Sequence, residues 1–421
     1  MSLSALLLLI VGVVSAAYAA NARWPRRNAS LWVMIVSWFM AFIVVELAVH
    51  LTVLGAVMIA VLAGAFGALD DGSTGWVGLA FWGVAVVLAI PLGVSSLRTR
   101  LDIDGRSEEL ELDDAPGLPW YWYAVPLLMW VKPGVKTERG RVFAEVDGEK
   151  LKLDIVRPKH DPGHPLPAVV HVHGGLWMFG SRHEQGIPLL NHLASNGWVG
   201  FNIDYRLSPK ATMPDHVEDV KRAIAWVREH AEELNVDPKF IAVTGGSAGG
   251  HLTALTALSN GDPAFQRGFE DADTSVQAAV PFYGAYDFVD HENKHSETLV
   301  KTVEKVVVKQ TMDEAPEFYA TISPTHRINE DAPPFFVVHG SRDTIVPVGE
   351  SRRFVKNLRT TSQEAVLYAE MPGGQHAFDS MPTWRSGPVI KAIERFLHAT
   401  YATRYLGGEA TEDVAEKALT N

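Results

Sequence analysis

Hydrophobic positions divide the chain into two parts. Residues 1–97 contain almost all of the long apolar runs, whereas nearly every charged residue lies after Arg98. Apolar runs of this length fit helices that cross a bilayer, because a helix rises ~1.5 Å per residue and the hydrocarbon core is ~30 Å thick. The pattern predicts a transmembrane region over residues 1–97, followed by a soluble part.

The number of spans depends on the middle of this region. Residues 3–20 and 76–94 each fit one span, whereas residues 31–69 stay apolar for longer than one span needs and are interrupted by Glu46 and His50. Three or four helices fit. For the first run, a cleaved signal peptide is the alternative. Glu46 is either a functional group inside a span or part of an interfacial turn. Arginines follow the first span and the last span. With three spans, both arginine groups lie on the same side of the membrane, and basic residues concentrate on the cytoplasmic side. This count therefore favours a soluble part in the cytoplasm.

Residues 98–139 are predicted to link the two parts. The first half is acidic and rich in turn residues, and the aromatic segment Pro119–Val131 follows. Trp and Tyr favour the headgroup zone, so this segment fits the membrane interface or the mouth of a lipophilic pocket; packing on the soluble core is the alternative. At the other end of the chain, residues 406–421 are predicted to be a flexible tail.

Residues 140–405 alternate short β-branched runs with amphipathic helical stretches. This alternation predicts an α/β fold with a mostly parallel sheet flanked by helices, and the runs RVFAEV and KLKLDIV predict an antiparallel pair at its start. Residues 289–328 are polar with weak helical periodicity, which indicates an insertion that could form a lid.

Composition restricts the chemistry. The chain has 37 Lys and Arg against 49 Asp and Glu, a net charge of −12, so binding to nucleic acid is disfavoured. The sequence contains no cysteine, which excludes thiolate nucleophiles and Cys-type metal sites. A covalent nucleophile must therefore be Ser, Thr, Lys or a carboxylate.

The strongest local signal is a G-x-S-x-G turn. The apolar run Phe240–Thr244 leads into Gly245, and a helical pattern begins directly after Ser247. In such a turn the serine is strained and exposed at the carboxyl end of the sheet, and Gly245 and Gly249 leave room for the tight bend. Ser247 is the candidate nucleophile.

A serine hydroxyl needs a base, and the base needs an orienting group. Asp343 follows the predicted strand PFFVVHG, and His376 follows the next strand, EAVLYAE. The order Ser, Asp, His is that of α/β-hydrolases, whose sites gather at strand carboxyl ends. We expect His376 to accept the serine proton and Asp343 to hold the imidazole.

A third loop fits stabilisation of an oxyanion. After the run VVHV, the bare backbone of Gly174 and Gly175 can approach a substrate oxygen, joined by the amide of Ala248. His173 is expected to brace this loop. The bulky residues that follow are candidates for a substrate pocket, with plain core packing as the alternative: Trp177, Met178 and Phe179.

Together, these segments resemble the hormone-sensitive-lipase-like branch of the α/β-hydrolases over residues 140–402. The resemblance rests on HGGLW, DYRLSP, the helix DHVEDVKRAIAWVREHAEEL, VDPKFIAVTGGSAGGHL, SRDTIVP and GGQHAF. It implies carboxylesterase or lipase activity. The residues that match the triad are Ser247, Asp343 and His376, and those that match the oxyanion donors are Gly174, Gly175 and Ala248. We expect no cofactor and no metal.

Two departures leave the subfamily open. Gly246 stands where many members have Asp, and Leu176 replaces a third glycine. Glycine at the position of Gly246 is also seen in relatives that resemble feruloyl esterases, acetylxylan esterases or arylformamidases. The segment His291–His295 satisfies H-E-x-x-H, but its polar surroundings disfavour a zinc site.

The sequence thus predicts a membrane-anchored serine hydrolase acting on esters or lipid-like small molecules. An acyltransferase or formamidase on the same fold, and a catalytically inactive binding domain, are the alternatives.

Overall fold

The structure of the protein is a computed structural model. Its description covers residues 1–26, 30–70, 72–99, 103–104, 117–160, 162–289 and 296–403. The predicted tail at 406–421 and the H-E-x-x-H segment at 291–295 lie outside these ranges.

Four helices form the apolar region: α1 (Leu3–Arg23), α2 (Leu31–Glu46), α3 (Ala48–Gly64) and α4 (Ser73–Leu97). Helices α1 and α4 are long and apolar enough to cross a membrane. Helices α2 and α3 meet at an 82° bend, so this pair is at most one broken span or a re-entrant loop. The described residues therefore offer two spans, or three with the bent pair, and the bend lies beside Glu46, where the sequence indicated an interruption.

Helices α1 and α4 run in the same direction. A Cβ atom on Gly12 would lie 2.0 Å from the carbonyl oxygen of Gly78, and Ala22 packs with Leu92 near the other ends of the two helices. Glycine at such a crossing allows two backbones to touch. Beyond α3, the carbonyl of Phe66 accepts a hydrogen bond from the Ser4 hydroxyl at 2.9 Å, so the end of α3 returns to the start of α1.

A nine-stranded sheet organises the soluble domain, in the order β1-β9-β8-β7-β6-β4-β5-β3-β2. The pairings among strands β4 to β9 are all parallel. At the two edges the pairings are antiparallel: β1 pairs with β9, and β3 pairs with both β2 and β5. The strands are β1 (Ile103–Asp104), β2 (Val135–Val146), β3 (Glu149–Pro158), β4 (Leu166–Val172), β5 (Val199–Ile203), β6 (Val236–Gly246), β7 (Ala278–Phe282), β8 (Phe335–Gly340) and β9 (Val366–Met371).

Helices cover both faces of this sheet. Side chains of β4 alternate between the two layers: Val170 and Val172 pack in one apolar cluster, and Val169 packs in the other. Such two-sided burial explains the nearly continuous apolar runs of the central strands. The helices are α5 (Trp120–Ala124), α6 (Ile187–Ser195), α7 (Asp215–Glu229), α8 (Ala231–Leu234), α9 (Ala248–Ala257), α10 (Glu297–Thr302), α11 (Pro316–Thr321), α12 (Gly349–Thr361) and α13 (Ser386–Tyr401).

Within the predicted linker, residues 98–139, the described parts (98–99, 103–104 and 117–139) take a larger part in the fold than the sequence indicated. Strand β1 extends the sheet at β9, and β2 already begins at Val135. The aromatic segment has a mixed role, because Trp122 is fully buried in the core beside α6 while Trp120 is 77% exposed. Sequence patterning missed the strand β1 because two residues are too few to show alternation.

Candidate active site

Ser247 stands at the sharp turn between β6 and α9. Its backbone has φ 59° and ψ −120°, in the left-handed half of conformational space that non-glycine residues rarely adopt. Cβ atoms on Gly245 and Gly249 would lie 2.4 Å and 2.0 Å from the carbonyl oxygen of Val172. Only glycine fits at these two positions, because the turn presses against the end of β4.

His376 lies beside this serine. Its Nε2 atom is 2.8 Å from the Ser247 hydroxyl oxygen, and its Nδ1 atom is 2.6 Å from a carboxylate oxygen of Asp343. The two loops that carry His376 and Asp343 follow β9 and β8, so adjacent parallel strands deliver them to one edge of the sheet. A hydrogen-bonded series therefore runs from the hydroxyl through the imidazole to the carboxylate.

Asp343 is held as an anion. Its side chain is fully buried, and one carboxylate oxygen accepts hydrogen bonds at 2.8 Å from each of the Ile345 and Val346 amides. Burial raises the pKa of the Asp343 carboxyl, but the charge of His376 and hydrogen bonds from His339 and His376 outweigh it, so the pKa lies well below its usual range. A permanent negative charge thus faces Nδ1 of His376.

The loop after β4 approaches the serine as the sequence indicated, but its amides are used unequally. The Gly174 amide donates to the Gln185 side-chain oxygen at 2.7 Å, so this predicted oxyanion donor is already engaged. For the amides of Gly175 and Ala248, no acceptor is found among residues the structure describes. His173 donates from Nδ1 to the Gly174 carbonyl at 2.8 Å, which ties the loop to itself.

The three candidate pocket residues diverge in position. Trp177 is buried and donates to His251 Nδ1 at 3.2 Å, whereas Met178 packs half-buried against the core and Phe179 is 49% exposed. Trp177 lines a small apolar cavity of about 30 Å³, which lies beneath α10 in the predicted lid, residues 289–328. The other lining residues are Ala285, Phe288, Leu299, Val300, Val303, Met312 and Tyr319.

Two side chains near His376, those of Tyr283 and Asp379, were not predicted from the sequence. The Tyr283 ring lies 4.7 Å from the imidazole, and its hydroxyl donates to Asp379. A Cβ atom on Gly246 would lie 2.6 Å from the Tyr283 hydroxyl oxygen, which gives a steric reason for glycine before the serine in this chain. Burial raises the pKa of the Asp379 carboxyl to about 6. Neither residue belongs to a recognisable motif.

No cluster of three or more His, Asp or Glu side chains that could hold a metal ion is found in the described ranges.

Comparisons with known proteins agree with this architecture. The model of the family described as BD-FAE matches residues 153–358. The probable carboxylic ester hydrolase LipM of Mycobacterium tuberculosis is 48% identical over 269 residues, which are 64% of this chain and 62% of that protein. Esterase LipQ of the same organism is 45% identical over 61% of each chain. This chain therefore covers less than two thirds of the length of these relatives.

A solved structure extends the comparison to three dimensions. A thermophilic esterase from Thermogutta terrifontis superposes with a TM-score of 0.54 at 28% identity, covering 65% of this chain and 94% of that structure. The sheet order, the serine turn and these relatives define an α/β-hydrolase. Within that superfamily, residues 153–358 are similar to the family described as BD-FAE.

Proposed function

We propose that the protein is a membrane-bound serine hydrolase of carboxylic esters. The observation that carries the proposal is the hydrogen-bonded series of Ser247, His376 and Asp343 at the carboxyl edge of the sheet. Esterase relatives that match the soluble domain support it. The two apolar helices that could cross a bilayer support the membrane location.

In the proposed reaction, Ser247 attacks the ester carbonyl carbon while His376 Nε2 accepts the hydroxyl proton. Collapse of the tetrahedral intermediate breaks the bond to the alcohol, which takes that proton from His376 and leaves an acyl-serine. Water then attacks the acyl-serine, losing a proton to His376, and the acid departs as Ser247 recovers its proton. Asp343 stabilises the imidazolium in both halves because its carboxylate remains ionised.

The oxyanion of each intermediate requires amide donors. We assign this role to Gly175 and Ala248, whose amides retain free hydrogen-bonding capacity within the described chain. Gly174 then shapes the loop through its bond to Gln185. Gly175 has φ 127°, a conformation that suits glycine and turns the loop at this point.

The substrate proposal follows from the apolar cavity and the membrane helices. The cavity beside Trp177 has predominantly apolar walls, but its volume of about 30 Å³ holds only a short apolar group such as the start of an acyl chain. Esters that are amphiphilic or dissolved in the bilayer would meet the site without crossing much water. A ladder of acyl esters tests this part: a strict preference for acetyl esters would contradict lipid-like substrates.

The membrane orientation is also a proposal. Helix α4 ends at the soluble domain, where Ser95 approaches Pro372, and α1 runs beside α4 in the same direction. Arg23 and Arg98 lie at the carboxyl ends of the two helices. Basic residues concentrate on the cytoplasmic side, so we place the soluble domain in the cytoplasm. Since the chain has no cysteine, one cysteine introduced at exposed Lys239 tests this placement. Labelling by a membrane-impermeant maleimide only after cell lysis is expected; labelling of intact cells would contradict it.

Covalent labelling tests the central proposal. A fluorophosphonate probe is expected to modify the full-length protein at Ser247, as mapped by mass spectrometry, and not to modify Ser247→Ala. Folded wild-type protein that takes no label would contradict the proposed hydrolase.

A further inference from the structure

The loop of residues 372–386 carries His376 and is also the place where the apolar helices contact the soluble domain. We refer to it as the histidine loop. At its start, the Ser95 hydroxyl at the end of α4 lies 3.5 Å from the carbonyl oxygen of Pro372. Near its end, Thr383 donates to Glu46 at 3.2 Å, and the imidazole of His50 lies against Trp384 with ring centroids 5.2 Å apart.

A buried pair of opposite charges lies at this contact. Arg385 and Glu46 have fully buried side chains, and Arg385 Nε lies 3.2 Å from a Glu46 carboxylate oxygen. An unpaired charge in such a place costs several kcal/mol, so removing either side chain is expected to loosen the contact between α2 and the histidine loop. The interruption that Glu46 makes in the apolar run therefore marks a contact with the soluble domain.

Trp38 of α2 contacts His376 itself. Its indole N–H donates to the backbone carbonyl oxygen of His376 at 3.0 Å. The indole also meets the imidazole edge-on, with ring centroids 5.9 Å apart and planes at 77°. The contact joins residues 338 positions apart in the sequence, and the matched family segment, residues 153–358, includes neither of them.

This hydrogen bond lies next to a strained residue of the backbone. Ala377, directly after His376, has φ 65° and so adopts a conformation that L-residues rarely occupy. Strained backbone persists only where its surroundings hold it. By fixing the His376 carbonyl, Trp38 restrains the peptide unit that joins the imidazole-bearing residue to this strained neighbour.

Helix α2 presents different residues on its two sides. Trp38 faces the histidine loop, and Met34, one turn earlier, contacts Ser296 at the start of α10 with a sulfur–oxygen distance of 3.8 Å. Trp32 is 70% exposed instead. The same helix therefore offers one tryptophan at the site and one away from it.

We propose that Trp38 is a positioning residue, through which the apolar helices hold His376 in line with Ser247. The proposal rests on the proposed hydrolase function. Among the described residues, the contacts of Trp38 with the site are the hydrogen bond to the His376 carbonyl and the ring contact with its imidazole, so we assign its effect to His376. A misplacement of ~1 Å at a reacting group can cost ~10²-fold in rate, so loosening the loop is expected to lower turnover.

The test compares full-length variants in detergent, using a short, water-soluble p-nitrophenyl ester so that partition into the membrane does not affect the result. Titration with a fluorophosphonate gives the concentration of active sites. For Trp38→Ala we expect kcat per titrated site to fall about tenfold or more, with KM unchanged within about twofold. Trp38→Phe keeps a ring but removes the donor, so a smaller loss of about threefold is expected.

Trp32→Ala is the matched control, since it removes the same side chain from the exposed side of the same helix, and its kcat should equal that of wild type. Equal kcat in Trp38→Ala and Trp32→Ala would overturn the positioning role. A raised KM with unchanged kcat would also overturn it, because Trp38 would then act as a wall of the substrate pocket.

Trp38→Phe keeps the test decisive if Trp38→Ala does not fold: full kcat per site in the phenylalanine variant would overturn the role of the indole N–H. Failure of wild-type protein to take the label would instead contradict the hydrolase function itself.

Discussion

The serine turn and the histidine loop meet at one site but are held in different ways. Residues 245–249 are fixed by neighbours within the sheet, because the carbonyl at the end of β4 leaves room for nothing larger than glycine. The histidine loop depends on Trp38, Glu46 and Ser95, which lie at least 277 positions away in the sequence. The nucleophile is thus a property of a local motif, whereas the base depends on the apolar helices as well.

The largest effect is expected for Asp343→Asn, which tests the support of His376. The loss of the anion removes the stabilisation of the imidazolium and favours the wrong tautomer, so kcat should fall about 10³–10⁴-fold. Steady-state kinetics per titrated site measure the effect, with Asp331→Asn as a control at an exposed surface position. A loss of less than about tenfold would contradict the role of Asp343.

A substitution in the serine turn is expected to lower the stability of the fold. Gly249→Ala places a methyl group 2.0 Å from the Val172 carbonyl oxygen, so β4 or α9 must shift. We expect the free energy of unfolding to fall on the order of 2–4 kcal/mol, as measured by denaturant unfolding. Gly117→Ala is the control, because the space around Gly117 is open. Equal stability of the two variants would contradict the tight packing of the turn.

The oxyanion loop offers a smaller effect. Gln185→Leu removes the acceptor of the Gly174 amide and leaves that donor without its partner. An unsatisfied amide costs ~1–3 kcal/mol, so we expect kcat/KM to fall about tenfold as the loop loosens. Gln185→Glu retains an acceptor oxygen and should recover most of the activity. Unchanged kinetics in the leucine variant would argue against this bracing.

The smallest expected effect concerns pH and Asp379. Its pKa is raised from 3.8 to about 6 by burial, so folding favours the neutral carboxyl. The corresponding stability is complete below pH 3.8 and is lost as pH rises through 6. Asp379→Asn does not ionise, so its stability relative to wild type should rise over this interval.

Denaturant unfolding at several pH values measures the difference. We expect a gain on the order of 1 kcal/mol, because the Asp379 side chain is half-buried and solvent screens part of the effect. A difference that does not change with pH would contradict the raised pKa.

The contrast between the two regions also explains what the sequence could predict. The turn at Ser247 was predictable because strand, glycines and helix are contiguous, and the positions of Asp343 and His376 followed from the strands before them. Glu46 drew notice as a charge in an apolar run, but nothing in the sequence identified Arg385 as its partner. Trp38 is one of many aromatic residues in that run, so no pattern singled it out.

The oxyanion loop illustrates a finer limit. The sequence predicted glycine backbone beside the serine, but treated Gly174 and Gly175 alike. The difference between them arises from Gln185, whose side chain returns to the loop after an irregular stretch without periodicity. Side-chain acceptors of this kind carry no local signature.

The docking of the histidine loop on α2 has a consequence for biosynthesis. Trp38 leaves the ribosome 338 residues before His376, and at ~5–20 residues per second this separation lasts roughly 20–70 seconds. The nascent chain can therefore settle its first helices in the bilayer long before the base is synthesised. In the proposed enzyme, full hydrolytic activity would then appear only once these helices have inserted.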